Sequence, residues 1–251
     1  MVANPRATKD FKRACMERSK TDRTDALSIL DFVRRMPFKP WTPPSPKALN
    51  LRAFSRRIAA LMPTRIQERN RLKATQRTRE LTAALEKDIQ EHIDFLEDSM
   101  QDLADDAFEL IASDSELRRK YDHLVSVKGI AKASAIRILG ELEVLPTDMA
   151  ARQWVSHAGL DPRHCESGSS VNKPTRISKT GNRHLRAALY MPALVAIRSE
   201  PNVGAFYEAL LKRGKKPMQG IVAVMRKLLH AIHGMIANDE DLEGNKLRFV
   251  A

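Results

Sequence analysis

Three groups of residues in this sequence could do chemistry. Asp22 and Asp25, within Ser19-Lys-Thr-Asp-Arg-Thr-Asp-Ala26, are three apart and share one helical face. Paired carboxylates can hold a divalent cation through oxygen. The plainer reading is that two acids in a first turn offset the helix dipole and complete a cap. Ser167 lies in Glu166-Ser-Gly-Ser-Ser170. A serine hydroxyl is a weak nucleophile until a base or electropositive surroundings activate it, and Ser-Gly-Ser-Ser alone is more often a turn. Gly129, in Val125-Ser-Val-Lys-Gly-Ile-Ala-Lys-Ala-Ser-Ala135, marks a turn between two short helices. It resembles a helix-hairpin-helix, which aims backbone N–H groups at a phosphate. Lys128 and Lys132 add charge, although Ala131 stands where the second glycine of such a turn usually sits. An ordinary glycine turn between packed helices would look the same.

Ser167 has a cationic setting. Arg163, Lys173, Arg176, Lys179, Arg183 and Arg186 surround it in sequence, against Glu166 alone. Arginines there would stabilise charge developing on a transferring phosphoryl group. Gly168, Pro174, Gly181 and several hydroxyls read as loop, which then enters a helix at Asn182. A cationic loop meeting a helix N-terminus suits a phosphate. His157, His164 and His184 are candidate bases or phosphate contacts.

The whole chain carries the same bias. Its 251 residues hold 43 Lys and Arg against 31 Asp and Glu, a net +12. That excess favours a polyanionic partner, usually nucleic acid. Aromatic residues are only 5%, which argues against stacking of single-stranded bases and for charge and backbone contacts. No run of eighteen apolar residues occurs, so no membrane span and no membrane partner are expected. No apolar stretch follows the first charges, so no signal peptide is expected. Cys15 and Cys165 fit no metal or redox spacing. A cytoplasmic protein is expected.

The elements that must position these residues read as mostly α. Met1 to Pro5 reads as the end of a strand running into a loop, with Pro5 blocking a helix, and a basic helical turn or two follows. A helix capped by Ser19 or Thr21 should run to about Arg35. Five prolines between Pro37 and Pro46 make a stiff linker. From Lys47 to Ser113 apolar residues step by three or four, from Leu51, Phe54, Ile58 and Leu61 through Leu81, Leu85, Ile89, Ile93, Leu96 and Leu103. That predicts a long antiparallel helical pair or coiled coil, broken near Pro63, or else a plain bundle core. Residues 114–120 should connect it to a second helical domain. Lys212 to Lys216 form another basic cluster before an apolar helix, Ile221–Ile236. Strands should be few, confined to the first residues and short pieces around 163–177. The acidic tail from Asp239 should end in mobile residues.

Taken together, Ser19–Ala26, Lys128–Ala135, Gln153-Trp-Val-Ser-His-Ala-Gly-Leu160, Glu166–Ser170 and Ile177-Ser-Lys-Thr-Gly-Asn-Arg-His-Leu-Arg186 resemble the insertion-sequence one-ten family of transposases, the bridge-RNA-guided recombinases. The resemblance implies a RuvC-like domain with a DEDD acidic site binding Mg²⁺, a coiled coil, and a helical transposase domain. It implies Asp22 and Asp25 as the last two acids, and Ser167 as a nucleophile that links covalently to DNA. It implies phosphate contacts at Lys128, Gly129, Lys132, Arg163, Lys173, Arg176, Lys179, Arg183 and Arg186. The implied partners are DNA, structured RNA and further copies of the chain, as a dimer or tetramer. The domains expected are a RuvC-like remnant at 1–36, a linker at 37–46, a helical arm at 47–120, the transposase domain at 121–238 and a tail at 239–251. Only 21 residues precede Asp22, fewer than the family's sheet occupies. The resemblance therefore implies an N-terminally truncated member, unable to complete recombination alone.

Overall fold

A computed structural model describes residues 3–17, 19–37, 40–77, 83–167 and 171–240, the side chains of 164–167 and 171–174 excepted. It is mostly helical. The chain divides into two compact units, Met1–Pro43 and Pro44–Ala251.

The first unit is a helix pair, α1 (Pro5–Ala14) and α2 (Asp22–Arg35). Among the described residues 3–5 the expected strand is not there. Asn4 caps α1 by accepting the Arg6 N–H at 2.9 Å, and Pro5 opens the helix. Proline is disfavoured inside a helix but suited to its first turn, where an N–H has no partner anyway. Phe11 meets Phe32 edge to face at 5.5 Å and joins the two helices. Thr21 and Thr24 form a reciprocal capping box at the start of α2.

The second unit begins with α3 (Pro46–Thr75) and α4 (Ala83–Ala112). They run antiparallel, since Lys47 meets Asp114 while Arg65 and Arg69 meet Glu97. Leu51, Ile58 and Leu61 on α3 and Ile89, Ile93 and Leu96 on α4 are buried, the expected stripe. The expected break at Pro63 is absent: α3 is continuous through it. Packing along both neighbours outweighs the one hydrogen bond a proline forfeits. Arginine dominates α3, and carboxylates dominate α4.

The stretch 114–120, expected to connect the arm to the next helices, is itself helical from Ser115. Asp114 caps α5 (Ser115–Ser126), accepting the N–H groups of Glu116 at 3.1 Å and Leu117 at 3.2 Å. A short turn leads to α6 (Lys132–Leu142), which packs tightly on α3. At Gly140 a Cβ would sit 2.9 Å from the Ser55 Cβ and 3.0 Å from the Leu51 carbonyl oxygen, so only glycine admits that approach.

α7 (Ala151–His157), the antiparallel hairpin β1 (Pro162–Ser167) and β2 (Val171–Ile177), α8 (Arg183–Ser199), α9 (Pro201–Lys212) and α10 (Pro217–Asn238) complete the unit. The short strands expected around 163–177 are β1 and β2. α10 is long and apolar enough to cross a membrane by length and composition. Here Val224, Leu228, Leu229 and Ile232 lie in a core shared with α5, α7, α8 and α9. Asp239 does not begin a free tail: it binds His123 at 3.1 Å and Arg119 at 3.0 Å. The mobile end expected for the tail lies outside the described residues, which stop at 240.

Candidate functional site

Ser167 is the last residue of β1, opposite Val171, at the end of the hairpin where residues 168–170 join the two strands. Its side chain, that of Lys173 and residues 168–170 lie outside the described residues. At the other end Arg163 stands across from Arg176, and both are exposed. The register slips between Arg163 and Cys165, across from the stretch that contains Pro174. Proline has no N–H to give the ladder, which accounts for the irregularity.

The base of the hairpin is stitched down by backbone. The Ser178 N–H donates to the Asp161 carbonyl at 2.9 Å, and its hydroxyl donates to the Asp161 carboxylate at 2.7 Å. Lys179 N–H reaches the Gly159 carbonyl at 3.1 Å, and Asn182 N–H reaches the His157 carbonyl at 2.6 Å. Gly181 has φ +121°, and a Cβ there would lie 2.2 Å from the His157 carbonyl oxygen. Arg186 donates to the Ala158 carbonyl at 2.7 Å, so its guanidinium holds the turn. Lys179 and Arg183 remain exposed.

Beneath lies an open cleft of about 690 Å³, lined by Ser156, His157, Asp161, Arg163, Ser178 and Thr180 among others. Burial holds the His157 imidazole below its ordinary pKa, although Glu141 pulls the other way. Neutral at pH 7, such a ring can accept a proton.

Behind the cleft sits a group the sequence reading passed over. Glu141 of α6 is 0% exposed. Arg56 grips it with two bonds, at 2.8 and 3.0 Å, and the Asn182 amide donates to it at 2.6 Å. Burial alone would raise its pKa, but those donors outweigh burial and hold the carboxyl below its usual range. A lone glutamate inside the apolar run Ile138–Leu142 was the available signal. Burying a carboxylate without partners is costly, so such a residue implies donors from elsewhere in the fold.

The turn at Gly129 joins α5 and α6 as expected. Its φ is +103°, and a Cβ would lie 2.9 Å from the Pro192 carbonyl oxygen and 3.1 Å from the Ala196 nitrogen of α8. Packing against α8 therefore explains the glycine by itself. Lys128 is paired with Glu200 at 3.0 Å. Lys132 is exposed in the first turn of α6, whose cap residue Ala131 makes no side-chain bond. Lys212, Arg213, Lys215 and Lys216 are exposed in the turn before α10.

Asp22 and Asp25 belong to the first unit, in the first turn of α2. Asp22 is exposed; the Asp25 carboxylate is ion-paired with Lys12. A Mg²⁺ ion asks for octahedral oxygen. Among the described residues no three acidic, histidine or cysteine side chains converge. Two carboxylates, one of them neutralised by an ammonium, do not fit that ion unaided.

Two family models match the chain. One, described as the transposase IS116/IS110/IS902 family, matches residues 121–208, from α5 into α9. The other, a transposase model of the DEDD type, matches residues 1–78 and extends along α3. Over 243 residues the chain is 28% identical to the pilin gene-inverting protein of Moraxella bovis, covering 96% of this chain and 74% of that protein. It is 27% identical over 116 residues to a 43.6 kDa protein of insertion element IS110 from Streptomyces coelicolor, covering 45% of this chain and 28% of that one. A 42 kDa protein of insertion element IS900 from Mycobacterium paratuberculosis is 32% identical over 82 residues, covering 32% of this chain and 20% of that one.

Proposed function

Because the chain belongs to the transposase IS116/IS110/IS902 family, we propose that it breaks and rejoins DNA phosphodiesters with Ser167 as the nucleophile. The observation that supports this most is the placement of Ser167 at the turn end of a hairpin whose anchored end carries Arg163 and Arg176. The Ser167 hydroxyl attacks phosphorus, a phosphoserine ester forms, and one DNA oxygen leaves as a hydroxyl, taking up a proton. Attack by the hydroxyl of a second DNA end then reverses the exchange and frees the serine. One ester replaces another at each step, so no energy source is consumed. The cations position the phosphate and stabilise its transition state.

Arg163, Arg176, Lys179, Arg183 and Lys132, with Lys173 by resemblance, form the phosphate-gripping set. The relative that inverts a pilin gene rearranges DNA, in keeping with this chemistry. The DEDD type of the matching model points to a divalent metal. Asp22 and Asp25 would supply two of its oxygens once Lys12 is displaced, with further carboxylates required. Structured RNA and a dimer or tetramer belong to the same proposal. Ile66 and Phe95, exposed on the α3–α4 arm, favour the oligomer.

A labelled duplex taken from the DNA that borders the chain's own coding sequence tests this. It is incubated with the protein, Mg²⁺ and the transcript of that border, then run on a denaturing gel. A slow-migrating covalent band in wild type, absent in Ser167→Ala, is expected. A band that persists in Ser167→Ala overturns the assignment.

A second reading has one observation in its favour. Lys12 occupies Asp25, which suits a chain that binds nucleic acid and associates without cutting. It predicts native-gel binding and no covalent band with either protein.

A further inference from the structure

Three elements converge on the most deeply buried carboxylate among the described residues of the second unit. Arg56 reaches it from α3, Glu141 itself belongs to α6, and Asn182 stands at the start of α8. Asn182 is fully engaged. Its Oδ1 accepts the N–H groups of His184 at 2.9 Å and Leu185 at 3.1 Å, which caps α8. Its Nδ2 donates to Glu141 and lies 3.4 Å from the His157 Nε2. An amide whose oxygen is committed to a cap cannot turn over, so its nitrogen must face Glu141 and the imidazole. With Asn182 donating, His157 Nε2 accepts and the ring proton resides on Nδ1. The Asn182 backbone N–H meanwhile binds the His157 carbonyl.

A continuous chain of polar contacts thus runs from the arm to the base of the serine hairpin. Burial does not explain it. A buried ion pair is weak evidence for stability, because apolar residues of the same volume commonly serve a core as well or better. What apolar residues cannot do is select the orientation of a helix-capping amide and the tautomer of a neighbouring imidazole.

We propose that Glu141 is a positioning residue: held by Arg56, it fixes Asn182, and through Asn182 it sets the α8 N-terminus and His157 against the cleft beneath β1 and β2. This rests on the reading of Ser167 as the nucleophile.

The test uses the full chain, the bordering duplex described above, and four proteins: wild type, Ser167→Ala, Glu141→Gln and Asn182→Ser. Glutamine keeps the shape of Glu141 without its charge, and serine keeps the cap while losing the amide donor. Single-turnover adduct formation is followed at saturating DNA, well below each melting transition. Both network variants should slow it about tenfold or more, since small misplacements are costly at a reacting centre. Their DNA affinity should stay within about threefold of wild type, as the phosphate-gripping cations are untouched. A role confined to stability would lower the melting temperature and leave the saturated rate alone. Amide hydrogen exchange gives a readout independent of the adduct. The His184 and Leu185 amides should exchange faster in Glu141→Gln, with those of α10 unchanged. If Glu141→Gln and Asn182→Ser form adduct at the wild-type rate, or if those two amides exchange as in wild type, the proposal is overturned. If wild type itself gives no adduct, the nucleophile reading fails, and the exchange measurement still decides the positioning.

Discussion

Arg163 and Arg176 stand directly opposite each other across the β1–β2 ladder, both exposed, with no ion-paired carboxylate among the described residues. Like charges facing across a ladder are destabilising, by up to about 1 kcal/mol. A two-stranded hairpin has little stability to spare. The position therefore favours a polyanion that lies over both guanidinium groups.

Replacing both with glutamine should weaken DNA binding and flatten its salt dependence. Each phosphate contact contributes about 0.9 to the slope of log affinity against log salt. The double variant should lose about 1.8 in slope, read by fluorescence anisotropy over a NaCl series. An unchanged slope would remove the hairpin from the interface.

Gly181→Ala and Gly214→Ala test the stitching of the hairpin base. Both glycines have positive φ, but a Cβ at Gly181 meets the His157 carbonyl oxygen at 2.2 Å, while one at Gly214 meets nothing within 4 Å. Gly214→Ala should cost about 1 kcal/mol, the left-handed penalty alone. Gly181→Ala should cost about 3 kcal/mol or more, because backbone must also move. At about 2–4 °C per kcal/mol for a unit of this size, calorimetry separates the two. Equal melting temperatures would contradict the close approach.

Stability should fall as the solution is acidified from neutrality. Burial is the first cause holding His157, His184 and His230 below the ordinary imidazole range. Glu141 opposes it at His157 and His184, and Arg226 and Lys227 reinforce it at His230. Each group binds its proton more readily unfolded than folded. The stability it contributes is therefore present above the unfolded pKa, about 6.5, and is lost as pH falls through it. Urea midpoints measured from pH 7.5 to 5.5 should decline, and His157→Gln should make the decline shallower. A midpoint that rises on acidification would contradict the burial of these rings.

Lys12→Met should free Asp25 at little structural cost. The pair is partly exposed, with side chains 19% and 42% accessible, and such pairs contribute about 1 kcal/mol at most. Calorimetric titration should show Mg²⁺ binding more tightly to Lys12→Met than to wild type, and Asp25→Asn in that background should undo the gain. No change in Mg²⁺ affinity would mean that Lys12 does not compete for this carboxylate.

The helices were readable wherever an apolar period persisted, as from Leu85 to Leu103, or wherever a capping residue stood in place, as with Thr21 and Asn182. The start of α1 was also readable, since asparagine before proline is a favoured entry to a helix; the proline was read only as a barrier. The hairpin was harder. Its hydroxyls and cations carry little alternation, and its base is fixed by backbone bonds to residues 157–161, which leave no local trace. Of the site, the cations and Ser167 stood out by type. Glu141 did not, because a buried carboxylate takes its meaning from Arg56 and Asn182, which lie 85 and 41 residues away.

Gly140 has a mechanical corollary. With the Leu51 carbonyl oxygen and the Ser55 Cβ both within about 3 Å of where its Cβ would be, α3 and α6 have no slack between them. At 1.5 Å per residue the 30-residue α3 is about 45 Å long. It meets α6 near one of its ends, around Leu51 and Ser55, and leaves the rest of its length as a handle. A pull at the far end, from another copy or from bound nucleic acid, cannot be absorbed by a hinge at this joint. It arrives at α6 as torque, within a turn of the helix's end, from which the chain passes through α7 to the serine hairpin.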